Sequence, residues 1–160
     1  MTETTERPAA IDPMTLKSRF GSGYPAPFAG PVKEREKRAL GDVFGLSHFG
    51  VNLVRLPPGG ASSQRHWHSA EDEFVYILEG EVELVTDAGT QRLTAGMVAG
   101  FPAGRADGHQ LVNRSDRDVV YLEVGDRQAG DEIDYPDIDL RLLQRNGRDF
   151  WAHKDGTPWE

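Results

Sequence analysis

From Val51 onward the chain is a series of short apolar runs, each stopped within a few residues by glycine, proline or small polar residues. Val51 to Leu56 ends at Pro57, Pro58, Gly59 and Gly60, and Phe74 to Leu78 turns at Glu79 and Gly80 into Val82 to Thr86. Asp87 to Gly89 makes the next turn, and Gln91 to Thr94, Met97 to Phe101, Gly108 to Asn113 and Val119 to Val124 complete the series. Runs this short, punctuated this often, are strands, and the region has no helical period. A closed or nearly closed pair of sheets is the economical way to bury them and hide their edges. The expected fold class is therefore all-β, a jelly-roll barrel.

The flanks read differently. Pro8, Pro13, Pro25, Pro27 and Pro31 make residues 1–31 a proline-rich arm rather than core, and Lys33 to Arg38 is a charge run read as a solvated connection. The barrel is expected over residues 32–125. In residues 126–160, Ile138 to Leu143 looks like a strand, Asn146 and Gly147 a turn, and Phe150 and Trp151 its partner. That hairpin is expected to pack on the barrel or on a second subunit.

Composition narrows the chemistry. A chain of 160 residues can bury one core without staples, and with no cysteine there is neither a disulfide framework nor a thiolate metal site. Any metal must use imidazole and carboxylate. A net charge of −8 argues against nucleic acid as a partner. The polar start, Met1 to Pro13, and the lack of a long apolar run lead to the expectation of a soluble cytoplasmic protein with no membrane partner.

Three of the five histidines fall in two stretches spaced for one metal ion. Gly60, His66, His68, Glu73 and Gly80 form the first. On a strand His66 and His68 point to one face and Trp67 to the other, and a bend at Ser69 to Asp72 can return Glu73 to the imidazoles. Gly96, Pro102, Gly104, His109 and Asn113 form the second, which can deliver a third imidazole from a distant strand.

These residues resemble the two motifs of the cupin superfamily, small barrels of the double-stranded β-helix type. The first motif matches at every fixed position, whereas in the second four residues, Arg105 to Gly108, stand where the family usually has two. The resemblance runs from about Val51 to about Val124. It implies metal ligation by His66, His68, Glu73 and His109, and a homodimer. Gly60, Gly80 and Gly96 are read as turn formers and Asn113 as a tie for a strand end.

Three imidazoles and a carboxylate suit one divalent transition metal per chain, iron, manganese, nickel or zinc, and leave open positions on a six-coordinate ion. Around them, Arg105 and Asp107 are candidate catalytic residues, Asp107 as proton carrier, and Arg65, Gln64 and Phe101 are candidate substrate contacts. The arginines would suit a small anionic or polyhydroxy ligand. His48 and His153 fit no ligand pattern, and Trp67 and Tyr76 are read as packing residues opposite the ligands. The leading functional expectation, from similarity to single-domain bacterial cupins, is a metal-dependent enzyme acting on a carbohydrate or sugar phosphate by isomerisation or related proton transfer. An iron-dependent dioxygenase and a non-catalytic module that binds or senses a small ligand are the alternatives.

Overall fold

The computed structural model describes residues 7–159. Its strands, in chain order, are β1 (Arg19–Phe20), β2 (Glu36–Ala39), β3 (Phe49–Leu56), β4 (Trp67–His68), β5 (Glu73–Glu79), β6 (Glu81–Thr86), β7 (Gly89–Thr94), β8 (Val98–Phe101), β9 (Gln110–Val112), β10 (Val119–Asp126), β11 (Ile133–Tyr135), β12 (Leu140–Arg145) and β13 (Arg148–Ala152). A single five-residue helix, α1 (Leu40–Phe44), sits among them, and among the described residues no helix is long and apolar enough to cross a membrane.

Every pairing is antiparallel, in sheets of order β1-β2-β3-β10-β5-β8, β13-β12-β11-β4 and β7-β6-β9. Side-chain alternation decides what enters the interior. Tyr121 lies opposite Val54 on one side and Ile77 on the other, so that row points inward and all three are 0% exposed. Val82, Leu84 and Leu93 of β6 and β7 and Leu111 of β9 close on this row from the facing sheet to form one core. The fold is thus an all-β jelly roll.

Gly80 makes the β5–β6 turn possible. Its φ is +77°, and a Cβ there would lie 2.6 Å from the carbonyl oxygen of Asp118, so the position requires the residue without a side chain. Asn113 is fully buried and ties three segments, its Nδ2 donating to the Leu56 carbonyl at 2.9 Å and the Arg117 carbonyl at 2.7 Å while its Oδ1 accepts from the Ser115 amide at 3.0 Å.

The flanks are integral to the barrel. Lys33 to Arg38, expected to be a solvated connection, instead supplies β2, which pairs with β3 inside the large sheet and buries Glu36 to 7% exposure. Arg55 and Arg38 hold the Glu36 carboxylate at 2.7 and 2.8 Å, which offsets its desolvation. The preceding arm lies across the barrel, with the Ala61 amide donating to the Pro31 carbonyl at 2.9 Å. The C-terminal hairpin turns at Asn146 and Gly147, both at positive φ, and extends through β11 onto β4, with Ile133 opposite His68. The extension is therefore sheet-paired to the short strand that carries His68.

Candidate metal centre

His66 and His109 form an isolated antiparallel bridge, their amides and carbonyls exchanging hydrogen bonds of 3.1 and 2.8 Å. This brings the two sequence motifs together. His68 follows two residues on in β4, and Glu73 opens β5 on the same inward face as Val75 and Ile77. The result is a convergence on one oxygen: Glu73 Oε2 lies 2.7 Å from His109 Nε2, 3.4 Å from His68 Nε2 and 3.5 Å from His66 Nε2.

The tautomers explain why this cluster can hold a cation. His66 Nδ1 lies 2.9 Å from the Gln64 carbonyl, which can only accept, so Nδ1 carries the proton and Nε2 presents a lone pair. Asp131 Oδ2 does the same for His68 Nδ1 at 2.6 Å. Two nitrogen lone pairs thus face a buried carboxylate oxygen that has no hydrogen-bond partner. Donor atoms each about 2.1 Å from a shared ion lie roughly 3 Å apart, the spacing seen here. The ligand atoms of His66, His68 and Glu73 all lie within 4.8 Å of one another, and His109 adds the fourth.

Burial works against the Glu73 charge, but the surrounding imidazoles overcome it and hold the carboxyl well below its usual range. Burial lowers His109, keeping it neutral as a ligand must be. His66 is pulled down by burial and lifted above its usual value by Glu73. Phe101 stacks flat on His109, centroids 3.6 Å apart and planes 2° apart, which fixes the ring that lacks a partner at Nδ1.

Asp131 is the residue the sequence reading missed. Its Oδ1 also accepts from the amides of Ala70 at 2.8 Å and Glu71 at 3.2 Å, so one carboxylate both orients His68 and shapes the bend that returns Glu73 to the cluster. It lies 63 residues from His68, on the approach to β11, and no local motif marks it.

Two cavities flank the cluster. The larger, about 370 Å³, is lined by His66, Glu73, His109, Tyr121, the arm residue Arg19 and, from the charge run before β2, Arg35, among others. The smaller, about 290 Å³, is lined by His68, Glu73, Trp67, Arg105, Asp107 and His109, among others. Glu71, Glu73, Phe101 and His109 line both. Arg105 and Asp107 therefore stand beside the cluster; Asp107 Oδ1 accepts the Asp87 amide at 2.8 Å.

Arg65 and Gln64 line neither cavity. Arg65 grips Asp137 through two bonds of 2.7 Å, pairs with Asp87 and reaches the Gly108 carbonyl, so its guanidinium is spent on joining loops. Gln64 donates to the Phe28 carbonyl at 2.7 Å and anchors the arm. Trp67, expected on the face opposite the ligands, borders the smaller cavity, while Tyr76 does face outward at 39% exposure. His48 is exposed, and His153 pairs with Asp139 at 2.7 Å.

Residues 52–125 match the family model of the cupin domain. Among solved structures, the chain is similar to a cupin-superfamily sugar phosphate isomerase from Silicibacter pomeroyi, with 42% identity and a TM-score of 0.89 over 94% of this chain and 96% of that one. It is also similar to a proposed sugar phosphate isomerase from Acidithiobacillus ferrooxidans, with 32% identity and a TM-score of 0.72 over 82% of each chain. A polyketide cyclase from Streptomyces resistomycificus shares the fold at 24% identity and a TM-score of 0.62, over 74% of this chain and 79% of that one. No curated protein matches the sequence. The paired motifs, the jelly roll that joins them and these likenesses identify the chain as a member of the cupin superfamily.

Proposed function

We propose that this protein is a metal-dependent enzyme that isomerises a small polar molecule, a carbohydrate or sugar phosphate, by proton transfer at a cluster holding one divalent iron, manganese, nickel or zinc ion. The observation that carries the reading is the unpartnered Glu73 Oε2 surrounded by imidazole nitrogens whose tautomers leave lone pairs facing it. Likeness to sugar phosphate isomerases at 42% and 32% identity supports the substrate class.

His66, His68, Glu73 and His109 would hold the divalent ion, which when bound would supply Lewis acidity towards a substrate carbonyl and so make the adjacent C–H bond more acidic. The chain's own groups do the rest. Asp107, oriented by the Asp87 amide at the wall of the smaller cavity, takes the proton from carbon and returns it to the neighbouring carbon, while the hydroxyl proton of that neighbour passes to the former carbonyl oxygen, so that the enediol collapses to the isomer. Arg105, beside it, offers charge to the developing oxyanion. Phe101, packed on His109, excludes water from one side of the cluster.

The protein is also proposed to act as a homodimer. Phe74, Tyr76, Leu78 and Val98 are 42%, 39%, 39% and 51% exposed on the outer face of β5 and the edge strand β8, an apolar surface suited to a second copy.

Elemental analysis of protein purified without chelators tests the metal reading; about one ion per chain is expected, and a protein that takes up none of the four metals sinks it. Transfer of solvent deuterium into aldose or ketose phosphates by the loaded protein tests the reaction. Substrate turnover that requires dioxygen would replace it with oxygenation.

A further inference from the structure

We propose that Arg19 and Arg35 form a subsite in the larger cavity for the anionic end, a phosphate or carboxylate, of the molecule whose other end reaches the histidine cluster. The subsite deepens the reading above and rests on it for the role of the cluster, but its own evidence is separate.

Strand register supplies the first observation. Tyr121 lies opposite Val54, Val54 opposite Lys37, and Lys37 opposite Arg19. Residues opposite one another in an antiparallel sheet share a face, so the inward row that holds Ile77, Tyr121 and Val54 continues into Lys37 and, at the exposed rim of the sheet, Arg19. An inner face is an expensive place for charge unless something answers it. Lys37 is answered by Glu123, itself held by Asn52 Nδ2 at 3.0 Å, and burial pushes the Lys37 ammonium down.

Arg35 is answered only by neutral groups. Its terminal nitrogens donate to the carbonyls of Ser62 and Gly21, the latter at 2.8 Å, while its buried Nε has no partner. Among the described residues, neither Arg35 nor Arg19 has a carboxylate within ion-pair distance. The Tyr121 hydroxyl, in a residue 0% exposed, lines the same cavity and also lacks a partner. Two unsatisfied donors and two unpaired cations around one chamber call for a ligand that is anionic and rich in acceptor oxygens.

The acids of the cavity are already engaged. Asp42 pairs with Arg127 at 2.9 Å, Glu123 with Lys37, and Glu73 belongs to the cluster. Asp126 accepts from the Asp72 amide at 2.8 Å and from Gln128 at 2.9 Å, and Glu71 accepts from the Gln128 amide at 3.0 Å. In the smaller cavity, by contrast, the sole arginine is Arg105, whose side chain is 69% exposed. Because Glu73 and His109 line both chambers, a ligand anchored at Arg35 can present its reacting end to the cluster, with Asp107 approaching from the opposite chamber.

Titration calorimetry with inorganic phosphate, on full-length protein stripped of metal by chelator, tests the subsite without using the cluster. Arg19→Gln and Arg35→Gln are each expected to weaken phosphate by about tenfold or more, while Arg92→Gln, at an arginine that pairs with Glu81 and lines neither cavity, leaves the affinity unchanged. Arg19 lies on a two-residue strand with an exposed burial pattern, so its variant is informative even where Arg35→Gln loosens the arm. Undiminished phosphate affinity in Arg19→Gln, loss of affinity in Arg92→Gln, or no binding by the parent protein overturns the proposal. Metal content measured on the same preparations separates the two readings: phosphate binding in a protein that takes up no metal refutes the metal centre and leaves the subsite standing.

Discussion

At the level of single residues, the site is a set of donors whose directions are fixed by neighbours. His66 is oriented by a backbone carbonyl from its own segment, but His68 depends on Asp131, which comes from far along the chain. Asp131→Ala is therefore expected to lower metal affinity by about 10–100-fold, read by competition with a chromophoric chelator, while the His68 ligand itself remains. His68→Ala should strip most of the metal outright and leave the far-ultraviolet circular dichroism of the barrel intact, since the core of Val54, Ile77, Tyr121 and their neighbours does not include it. Unchanged metal content in that variant would count against the ligand set. His66 and His68 were legible as candidate ligands because strand alternation is strictly local, the two being two residues apart whatever else the chain does, whereas Glu73 and His109 were legible through the spacing of the two motifs that resemble those of cupins. Asp131 was not legible, because its role exists only once β11 pairs with β4.

The strands and turns are where stability can be tested. Gly80→Ala would place a Cβ against the Asp118 carbonyl at a positive φ, and is expected to cost about 2–4 kcal/mol in denaturant unfolding. Glu36 gives β2 and β3 a pH dependence. Arg55, with Arg38 beside it, holds the Glu36 carboxyl below its usual value against the opposing effect of burial. A depressed acid contributes stability that is complete above its unfolded value and disappears as pH falls through the native one. Glu36→Gln should thus destabilise the protein by about 2–4 kcal/mol near neutrality and by much less below the carboxylate range, as denaturant melts at the two pH values would report. The charge run Lys33 to Arg38 hid this strand. Alternating charges look solvated by composition, and only pairing with β3 reveals that Glu36 is buried between arginines and that Lys37 points into the barrel.

For the whole molecule, the arm and the C-terminal sheet complete the barrel. Phe28 meets Trp159 edge-on at 5.4 Å and Tyr24 meets Trp151 at 5.3 Å, so the two ends of the chain pack against each other over the flank of the site. Among the described residues, the outer face of β5 and β8 groups Phe74, Tyr76, Leu78 and Val98 into one exposed apolar surface. Tyr76→Glu, at the centre of that face, is expected to convert a dimer into a monomer by light scattering without changing metal content; a monomeric parent protein would remove the dimer proposal.

The sequence by itself determined most of the barrel strands, their turns and the four candidate ligands, because alternation, glycine at positive φ and motif spacing act over a few residues. Which cation faces the ligand chamber was decided by tertiary structure alone. Arg65, next to a candidate ligand in sequence, is consumed by Asp137 and Asp87, while some thirty residues upstream Lys37 enters the interior through the register of β2 on β3, and Arg35, just before β2, is held at the larger cavity by the Ser62 and Gly21 carbonyls. Register is a long-range choice, made by the burial of whole rows of side chains at once, and it leaves no mark on the residues it moves.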